Sequence, residues 1–438
     1  MRSGRRLSWG TALCGVLLVV LAAVVPVVWA GPAGSGAVTT CEHPVPHQGG
    51  PFSVAPDRRS ALDRTGHPFV SYGTTVAALT SPLFATYPGY VEALSRRVDM
   101  PKINATAGAW CGNTVRIQIA QANVTPNGRT CHAAFLSQAL DGEVRDAEDH
   151  HLVVVINDDT ETDPRAAQQR DPTPATLTFW RCVAQHRENW PGGVAYGRDP
   201  QLIFDLFNEP QADACARSRG GHGPDGPYDL ALWRDGGRFT GCGQHNAPYI
   251  GMQAVVTDVR ADGARNLLWI EGPGSGNSLT GLTGPASRHD RDYLISDPLG
   301  KVVYAIHHPY AGRGAPPDPA TWRKEFGYLV QGPQAIAPVV VGEWTNFTAA
   351  QLDVPYCWAN APQSVPEFLD YLAIIHAGLN AYQLDGGTLL RADGPPWTDT
   401  TNYTSARWRS SYCRYSSGWV PPLLGAGQDV LTWFRNQG

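Results

Sequence analysis

Short apolar runs recur along the chain and alternate with segments of helical periodicity. Buried strands are predicted near residues 68–73, 114–120, 152–157, 201–207, 266–271, 301–307, 338–342 and 380–385. Helices are predicted between them, for example over residues 248–262 and 364–377. Near-continuous hydrophobicity is typical of parallel strands that are covered on both faces. The alternation of eight strands with helices predicts a single (β/α)8 barrel, which is an α/β fold.

Two predicted connections between a strand and the following helix are unusually long. They span residues 210–246 and 386–427, whereas most connections in compact domains have about 4–6 residues. Both follow the carboxyl end of a strand, the face of a parallel barrel on which active sites are built. The sequence therefore predicts a barrel with long βα loops around a cleft.

The N-terminus has the pattern of an export signal. Three arginines precede an apolar stretch from Leu13 to Trp29, and small residues before Gly31 offer a cleavage site. Residues 1–30 are therefore predicted to be a signal peptide, or alternatively an N-terminal anchor, because the stretch approaches the ~18 residues that can span a bilayer. Residues 31–55 are predicted to be a flexible leader, and residues 56–438 the barrel domain.

Composition and cysteine content agree with export. The chain has 34 Lys and Arg residues against 39 Asp and Glu, a formal net charge of −5, and no basic run, so nucleic acid is not predicted as a partner. Cys14 lies in the predicted signal, and the other eight cysteines are expected to form disulfides in an oxidising compartment. The loop positions favour the pairs Cys215–Cys242 and Cys357–Cys413.

Two glutamates follow predicted buried strands, in the strings Asn208-Glu209-Pro210 and Gly342-Glu343-Trp344. Proline cannot donate to a sheet ladder, so the first strand should end with Glu209 at its carboxyl end. Retaining glycoside hydrolysis needs one carboxylic acid to protonate the leaving oxygen and a second carboxylate, about 5–5.5 Å away, to attack the sugar. The two glutamates are far apart in sequence, so only a closed barrel could bring them together.

Four motifs in this order resemble glycoside hydrolase family 5, the cellulase family. They are Thr114-Val115-Arg116-Ile117, the segment Leu202 to Pro210, His308-Pro309-Tyr310 and Val341-Gly342-Glu343-Trp344. The resemblance covers most of the chain after the predicted signal. It implies that Glu209 is the acid/base, that Glu343 is the nucleophile and that Asn208 binds the sugar 2-hydroxyl. It also implies that Arg116 lies beneath Glu343 and keeps it ionised.

The resemblance also suggests residues that contact substrate. His308 would line the donor-sugar subsite, Tyr310 would donate to Glu343, and Trp344 lies where an aromatic face could stack on a sugar. Members of the family usually place a tryptophan on the eighth strand, where this chain has Gln383, and a histidine on the third, where it has none. A preference for plain β-1,4-glucan therefore does not follow from the resemblance.

Other polar residues have competing interpretations. Glu271 also ends a predicted strand and is the one competing catalytic carboxylate. His307 and His308 are either core histidines or metal ligands, but no third ligand lies at the usual spacing. The acidic residues within 158–163 lack the glycine and terminal glutamate of a calcium loop, and we interpret them as an exposed rim. No metal or cofactor is predicted.

The leading hypothesis is a secreted, monomeric, retaining endo-β-glycanase that resembles cellulases and acts on a polysaccharide or oligosaccharide. One alternative is a noncatalytic carbohydrate-binding barrel, motivated by the altered third and eighth strands. A second alternative is an exo-acting β-glycosidase or a mannanase. No membrane association is expected once the signal is cleaved.

Overall fold

The structure is a computed structural model, and it describes residues 49–81, 88–160, 171–211, 230–238, 248–283, 293–307, 318–344, 364–384, 389–392, 408–410 and 427–437. The predicted signal lies outside the described residues. The last part of the predicted leader is among the described residues and is ordered: Ser53–Val54 form a strand, and Phe52 is buried. The folded region therefore begins before Pro56. Among the described helices, none combines the length and apolar composition needed to cross a membrane.

Strands and helices are numbered here in chain order. The strands are β1 (Ser53–Val54), β2 (Ala61–Leu62), β3 (Pro68–Phe69), β4 (Tyr72–Val76), β5 (Thr114–Ala120), β6 (Val153–Asp159), β7 (Leu202–Asp205), β8 (Gly236–Arg238), β9 (Pro248–Ile250), β10 (Leu267–Glu271), β11 (Val302–Ile306), β12 (Val339–Trp344), β13 (Gly378–Ala381), β14 (Leu390–Ala392) and β15 (Trp408–Ser410). The α-helices are α1 (Pro88–Ala107), α2 (Gln121–Val124), α3 (Ala133–Phe135), α4 (Asp141–Asp149), α5 (Pro174–Gln185), α6 (Leu230–Asp235), α7 (Met252–Ala261), α8 (Pro319–Glu325), α9 (Ser364–Ile375) and α10 (Gly427–Gln437).

Eight parallel strands close into a barrel in the order β10-β11-β12-β13-β4-β5-β6-β7. Closure is made between β13 and β4, where Leu379 lies opposite Tyr72. Strands β1, β2 and β3 form a small antiparallel sheet outside the barrel. The prediction of a single (β/α)8 barrel is confirmed. Such a barrel exposes the carboxyl ends of all eight strands on one face, so residues distant in sequence meet there.

The inner surface of the barrel changes from apolar to polar along the strands. Its apolar part is made by Val153, Val155, Ile203, Leu267, Trp269, Val303, Ala305 and Val340, together with Phe52, Ala61 and Phe69 from the small sheet and the segment before it. Successive side chains of a strand point to opposite faces. Toward the carboxyl ends of the strands, the next inward-facing side chains are polar and buried: Asn157, Asp205, Glu271 and His307. The polar end of the barrel is therefore a buried site on an apolar base.

Some predicted boundaries are wrong for identifiable reasons. The predicted strand 68–73 is two elements, because β3 pairs antiparallel with β2 and the barrel strand β4 begins only at Tyr72. The predicted helix 248–262 begins at Met252, because β9 pairs with β8 before it. Gly251 allows this close approach, since a Cβ there would lie 2.3 Å from the Arg234 carbonyl oxygen.

A disulfide joins Cys131, which lies between α2 and α3, to Cys182 of α5, with the two Cα atoms 5.4 Å apart. Cys111 is also disulfide-bonded. The cysteines of the predicted pairs, at positions 215, 242, 357 and 413, lie outside the described residues. The bond fixes the loop after β5 to the helix after β6.

Replacing Trp180 by phenylalanine should destabilise the fold. The indole is fully buried, packs on Phe204 with ring centroids 4.9 Å apart, and donates from Nε1 to the Leu206 carbonyl at 2.8 Å. Trp180→Phe removes this donor, so we expect the free energy of unfolding in urea to fall by about 1–3 kcal/mol. Trp190→Phe, at a partly exposed tryptophan, is the control. Equal effects of the two substitutions would contradict this account of Trp180.

Candidate active site

Arg116 lies at the centre of the polar end of the barrel and is fully buried. Its Nε donates to Asp205 Oδ2 at 2.8 Å, and Nη1 donates to Glu343 Oε2 at 2.7 Å. Its Nη2 donates to Asn208 Oδ1 at 2.7 Å and to Glu271 Oε1 at 3.0 Å. One guanidinium therefore organises side chains from β7, β10, β12 and the segment after β7.

A β-bulge turns Glu343 into the barrel. Val340 belongs to the inner core, so strict alternation along β12 would turn Glu343 outward. The pairing of β12 with β13 shifts between Val341 and Trp344, where three steps along β12 match two along β13. A bulge of this kind re-aims a side chain. Glu343 consequently reaches Arg116.

Gln118 supports Glu343 from the same strand as Arg116. It lies two positions further along β5, on the same inward face, and its Nε2 donates to Glu343 Oε2 at 2.7 Å. The sequence analysis did not select Gln118, although alternation from Arg116 identifies it. Burial raises the pKa of Glu343, while the positive charges of His307 and Arg116 oppose this effect.

Asn208 is held in one orientation. Its Oδ1 accepts from Arg116 Nη2 at 2.7 Å and from Gln118 Nε2 at 3.4 Å, while its backbone N–H donates to the Asp158 carbonyl at 2.8 Å. With the amide oxygen bound to Arg116, the Nδ2 group is directed to the other side. The site thus presents an oriented N–H donor.

Glu209 and Glu343 approach each other closely. One carboxylate oxygen of each, together with one ring nitrogen of His307, all lie within 4.8 Å of one another. The Glu209 side chain is 18 % exposed and Glu343 is 7 % exposed. Carboxyl groups about 5–5.5 Å apart are typical of retaining glycosidases, whereas inverting enzymes need about 6.5–9.5 Å. The geometry matches the shorter spacing.

His307 is buried between two carboxylates. Its Nδ1 lies 3.1 Å from Glu209 Oε1, and its Nε2 lies 2.9 Å from Glu271 Oε1. Burial alone would lower the pKa of His307, but Glu271 and Glu209 together raise it well above the usual value. The ring packs against Gly276, where a Cβ would lie only 3.0 Å from His307 Cγ. His307 is therefore an imidazolium that can donate from both nitrogens.

His307 is the histidine that the structure brings to this site, whereas the sequence analysis assigned the substrate role to His308. The sequence pattern identifies His307, because Val303 and Ala305 face inward and alternation along β11 places His307 on the same face. His308 and Tyr310 lie outside the described residues, so their predicted roles stay predictions.

Two further predicted substrate contacts have protein partners. Trp344 is 2 % exposed and stacks on Phe368 of α9 with ring centroids 5.5 Å apart. Gln383 is half-buried, and its Oε1 accepts from Lys102 of α1 at 3.2 Å. The bulge in β12 explains the burial of Trp344, because it turns this side chain outward to the helices. Contacts of Trp344 and Gln383 with substrate stay predictions.

The acidic residues after the third barrel strand were expected at an exposed rim, and that expectation is wrong for Asp158 and Asp159. Both belong to β6, which is longer than predicted, and both are buried. Burial raises the pKa of Asp158 well above its usual value, and Gln121 Nε2 donates to its Oδ2 at 2.8 Å. Alternation along β6 turns Asp158 outward to Gln121 of α2, whereas Asp159, two positions beyond the inward Asn157, continues the inner wall of the barrel.

Two groups of described residues have the donor types of a metal site. In the first, Glu209, His307 and Glu343, a protonated imidazole has no lone pair for a metal, and we interpret the group as a hydrogen-bonded charge network. The second, at the other end of the barrel, consists of Glu148, Glu188 and Asp199. There burial, followed by the charge of Asp199, raises the pKa of Glu148 to about 9, and burial and the hydrogen bond with Asp199 raise that of Glu188 to about 7. With raised pKa values, Glu148 and Glu188 can each hold a proton and donate it to Asp199 in a hydrogen bond, so this second group is stable without a metal.

Asp205 should make stability depend on pH. Burial, followed by the charge of Glu271, raises its pKa from 3.8 to about 8, against the opposing effect of Arg116. A carboxyl whose pKa is raised on folding contributes stability below its unfolded pKa and loses that contribution as the pH rises through the folded pKa. The free energy of unfolding of Asp205→Asn should therefore fall less than that of the wild type between pH 5 and 8.

The measurement is urea denaturation across this pH range. Asp57→Asn, at an exposed carboxylate, is the matched control and should keep the wild-type slope. If the free energy of unfolding of Asp205→Asn depends on pH as steeply as that of the wild type, Asp205 is not the protonated carboxyl that makes stability pH-dependent.

Comparison with known proteins gives the family. The cellulase model, glycosyl hydrolase family 5, matches residues 73–372. Similar solved structures include an endocellulase from Pyrococcus horikoshii (15% identity, 90% of this chain and 99% of that chain, TM-score 0.51) and a β-glucanase from Saccharophagus degradans (14%, 88% and 91%, 0.50). A β-mannanase from Thermomonospora fusca is also similar (14%, 76% and 84%, 0.48). No curated protein matches the chain. With the matched model covering more than half of its length, this chain belongs to glycoside hydrolase family 5, the cellulase family.

Proposed function

We propose that this protein is a secreted, retaining endo-β-glycanase that cleaves β-linked polysaccharide by double displacement. The observation that carries the proposal is the separation of at most 4.8 Å between carboxylate oxygens of Glu209 and Glu343. This spacing is shorter than the ~6.5–9.5 Å at which an inverting enzyme holds its carboxyl groups apart to admit a water. A noncatalytic barrel would have no need for a buried charge network that holds two carboxylates at this distance.

In the first step, Glu343 attacks the anomeric carbon while Glu209 donates a proton to the leaving oxygen. Arg116 and Gln118 both donate to Oε2 of Glu343, which leaves Oε1 for the attack. In the second step, Glu209 removes a proton from water, and the water oxygen displaces Glu343 with a second inversion. The two inversions give net retention.

Asn208 is proposed to bind the sugar 2-hydroxyl through Nδ2. The contacts from Arg116 and Gln118 orient the amide before substrate arrives. A hydrogen bond to the 2-hydroxyl that strengthens in the transition state accelerates the reaction. The mechanism therefore uses the same cation to place both the nucleophile and the sugar ligand.

Secretion is proposed on two grounds. The N-terminal pattern is that of a signal peptide, and the disulfide between Cys131 and Cys182 is of a kind that forms and persists in oxidising compartments. The enzyme is proposed to act as a monomer on a soluble or hydrated glycan. β-1,4-Glucan and β-mannan are the first substrates to test, because the comparisons include glucanases and mannanases.

Glu209→Gln and Glu343→Gln should each lower kcat by at least about 100-fold, because the ionisable group is lost while side-chain volume is kept. Activity is measured as the fall in viscosity of soluble β-glucan and glucomannan, and folding by melting temperature. Glu92→Gln, at a partly exposed carboxylate of α1, is the control and should retain activity. Near-wild-type turnover by either catalytic variant, at an unchanged melting temperature, would refute the assignment.

The first-formed product should keep the anomeric configuration of the substrate. Proton NMR during the first minutes of hydrolysis distinguishes the two anomers before they equilibrate. An inverted product would contradict the role of Glu343, and release of sugars from chain ends without a fall in viscosity would favour an exo-acting enzyme.

Gln383→Ala should change the ratio of kcat/KM values for gluco- and manno-configured substrates. Lys102 fixes the amide oxygen at 3.2 Å, so the amide has a defined direction, and a site built to bind a hydroxyl discriminates against an analogue that lacks it. Tyr382→Ala is the comparison, because alternation from the buried Asn380 favours Tyr382 as the inward residue. An unchanged ratio for Gln383→Ala, with a changed ratio for Tyr382→Ala, would transfer the role to Tyr382.

A further inference from the structure

Glu271 occupies a central place in the site, although the double displacement needs only Glu209 and Glu343. It ends β10 and is completely buried. Its Oε1 lies 2.9 Å from His307 Nε2 and accepts from Arg116 at 3.0 Å. Its Oε2 accepts the backbone N–H of Glu209 at 2.6 Å. The two oxygens thus have three partners, and two of these, the His307 ring and the Glu209 backbone N–H, lead to Glu209.

The structure assigns Glu271 as a positioning residue that prepares Glu209 for proton transfer, acting through His307 and through the backbone of Glu209. The inference rests on the proposed function, because it concerns the acid/base of that same site. Glu271 itself does not touch the reacting atoms.

The route through His307 determines which oxygen of Glu209 carries the proton. Glu209 Oε1 accepts from Nδ1 at 3.1 Å, and Glu271 Oε1 lies 2.9 Å from Nε2 as the other half of an ion pair, so a carboxylate faces each N–H group of the imidazolium. The proton of Glu209 must then lie on Oε2. A neutral imidazole that keeps its proton on Nε2 would present a lone pair at Nδ1, and this lone pair would draw the Glu209 proton to Oε1. Glu271 therefore keeps the proton on the oxygen that faces substrate.

The second route holds the backbone of Glu209 in an uncommon conformation. Its φ is +50°, in the left-handed region that non-glycine residues seldom adopt. Such a conformation is unfavourable for a residue with a Cβ and persists only when its surroundings fix it. The hydrogen bond from the Glu209 N–H to Glu271 is one such constraint.

The other charged groups that face this trio do not replace Glu271. They are Arg116, Asp205 and Glu343. Asp205 holds a proton at neutral pH and Glu343 is the nucleophile, while Arg116 carries the same charge as His307. Glu271 is therefore the carboxylate in contact with His307 that the reaction leaves unchanged.

The first test is Glu271→Gln with two substrate types. A glycan leaving group needs protonation, whereas a 2,4-dinitrophenolate leaves without it. We expect kcat/KM for the glycan to fall roughly 10- to 100-fold, part of the 10²–10⁴ that general acid catalysis supplies. The value for the dinitrophenyl glycoside should stay within about 3-fold, as this step does not use the acid. Equal losses for both substrates would show a merely structural role and overturn the proposal.

The pH profile gives a second readout. Removing a neighbouring negative charge weakens proton binding by His307 and Glu209, so the alkaline limb of kcat/KM should move to lower pH by about one unit or more. Glu271→Asp keeps the charge, and its alkaline limb should stay near the wild-type position with part of the rate restored. Glu143→Gln, at a buried glutamate of α4, is the matched control and should not move this limb. An unmoved limb in Glu271→Gln would overturn the proposal.

The protonation of His307 can be measured without activity. Ring ¹⁵N chemical shifts at pH 7, assigned with His307→Asn, should show an imidazolium in the wild type and a neutral ring in Glu271→Gln. A neutral ring in the wild type overturns the proposal even if Glu271→Gln does not fold. Failure of the proposed function would instead appear as a wild type that cleaves neither substrate while its His307 is charged.

Discussion

A guanidinium buried away from water must be surrounded by acceptors and negative charge, and breaking such a buried pair typically costs about 3–5 kcal/mol. Arg116 meets this requirement with Asp205, Glu271 and Glu343, all within 3.0 Å. To meet this requirement, strands β7, β10 and β12 must bring their carboxyl ends together around the Arg116 guanidinium. The close approach of Glu209 to Glu343 depends on this arrangement, because Arg116 also holds Asn208, the residue before Glu209. The apolar residues inside the barrel pack beneath the Arg116 network and shield it from solvent.

Proton distribution follows from the same constraint. Two cations and four carboxyl groups share the site: Arg116, His307, Asp205, Glu209, Glu271 and Glu343. Such a buried group is neutral when two carboxyls are protonated. Asp205 takes one proton, since burial and the charge of Glu271 raise its pKa to about 8. In the proposed mechanism the second proton is the one that Glu209 donates, and the group is then neutral with Glu343 ionised at the start of the first displacement.

The strand pattern predicted the barrel because parallel strands buried on both faces are apolar throughout. Alternation alone could not place Glu343, since its direction depends on a bulge that a run of valines does not reveal. The motif spacing selected His308, whereas inward alternation along β11 selects His307. Asp158 was missed because the third barrel strand was predicted to end at residue 157, whereas β6 continues to Asp159. Gln118 lies within the predicted second strand and was missed because alternation from Arg116 was not applied to it. A polar residue at an inward position near the carboxyl end of a barrel strand is better interpreted as a site residue.

We propose that the network around Arg116 makes Glu343 the nucleophile of a retaining reaction. A 2-deoxy-2-fluoro glycoside with a good leaving group slows the second displacement and so traps the covalent intermediate. After incubation with gluco- and manno-configured fluoro glycosides, mass spectrometry of proteolytic peptides should find one added fluoroglycosyl group, on the peptide that contains Glu343. A label on Glu209 or Glu271, or turnover of the same reagent to an inverted product, would contradict the account.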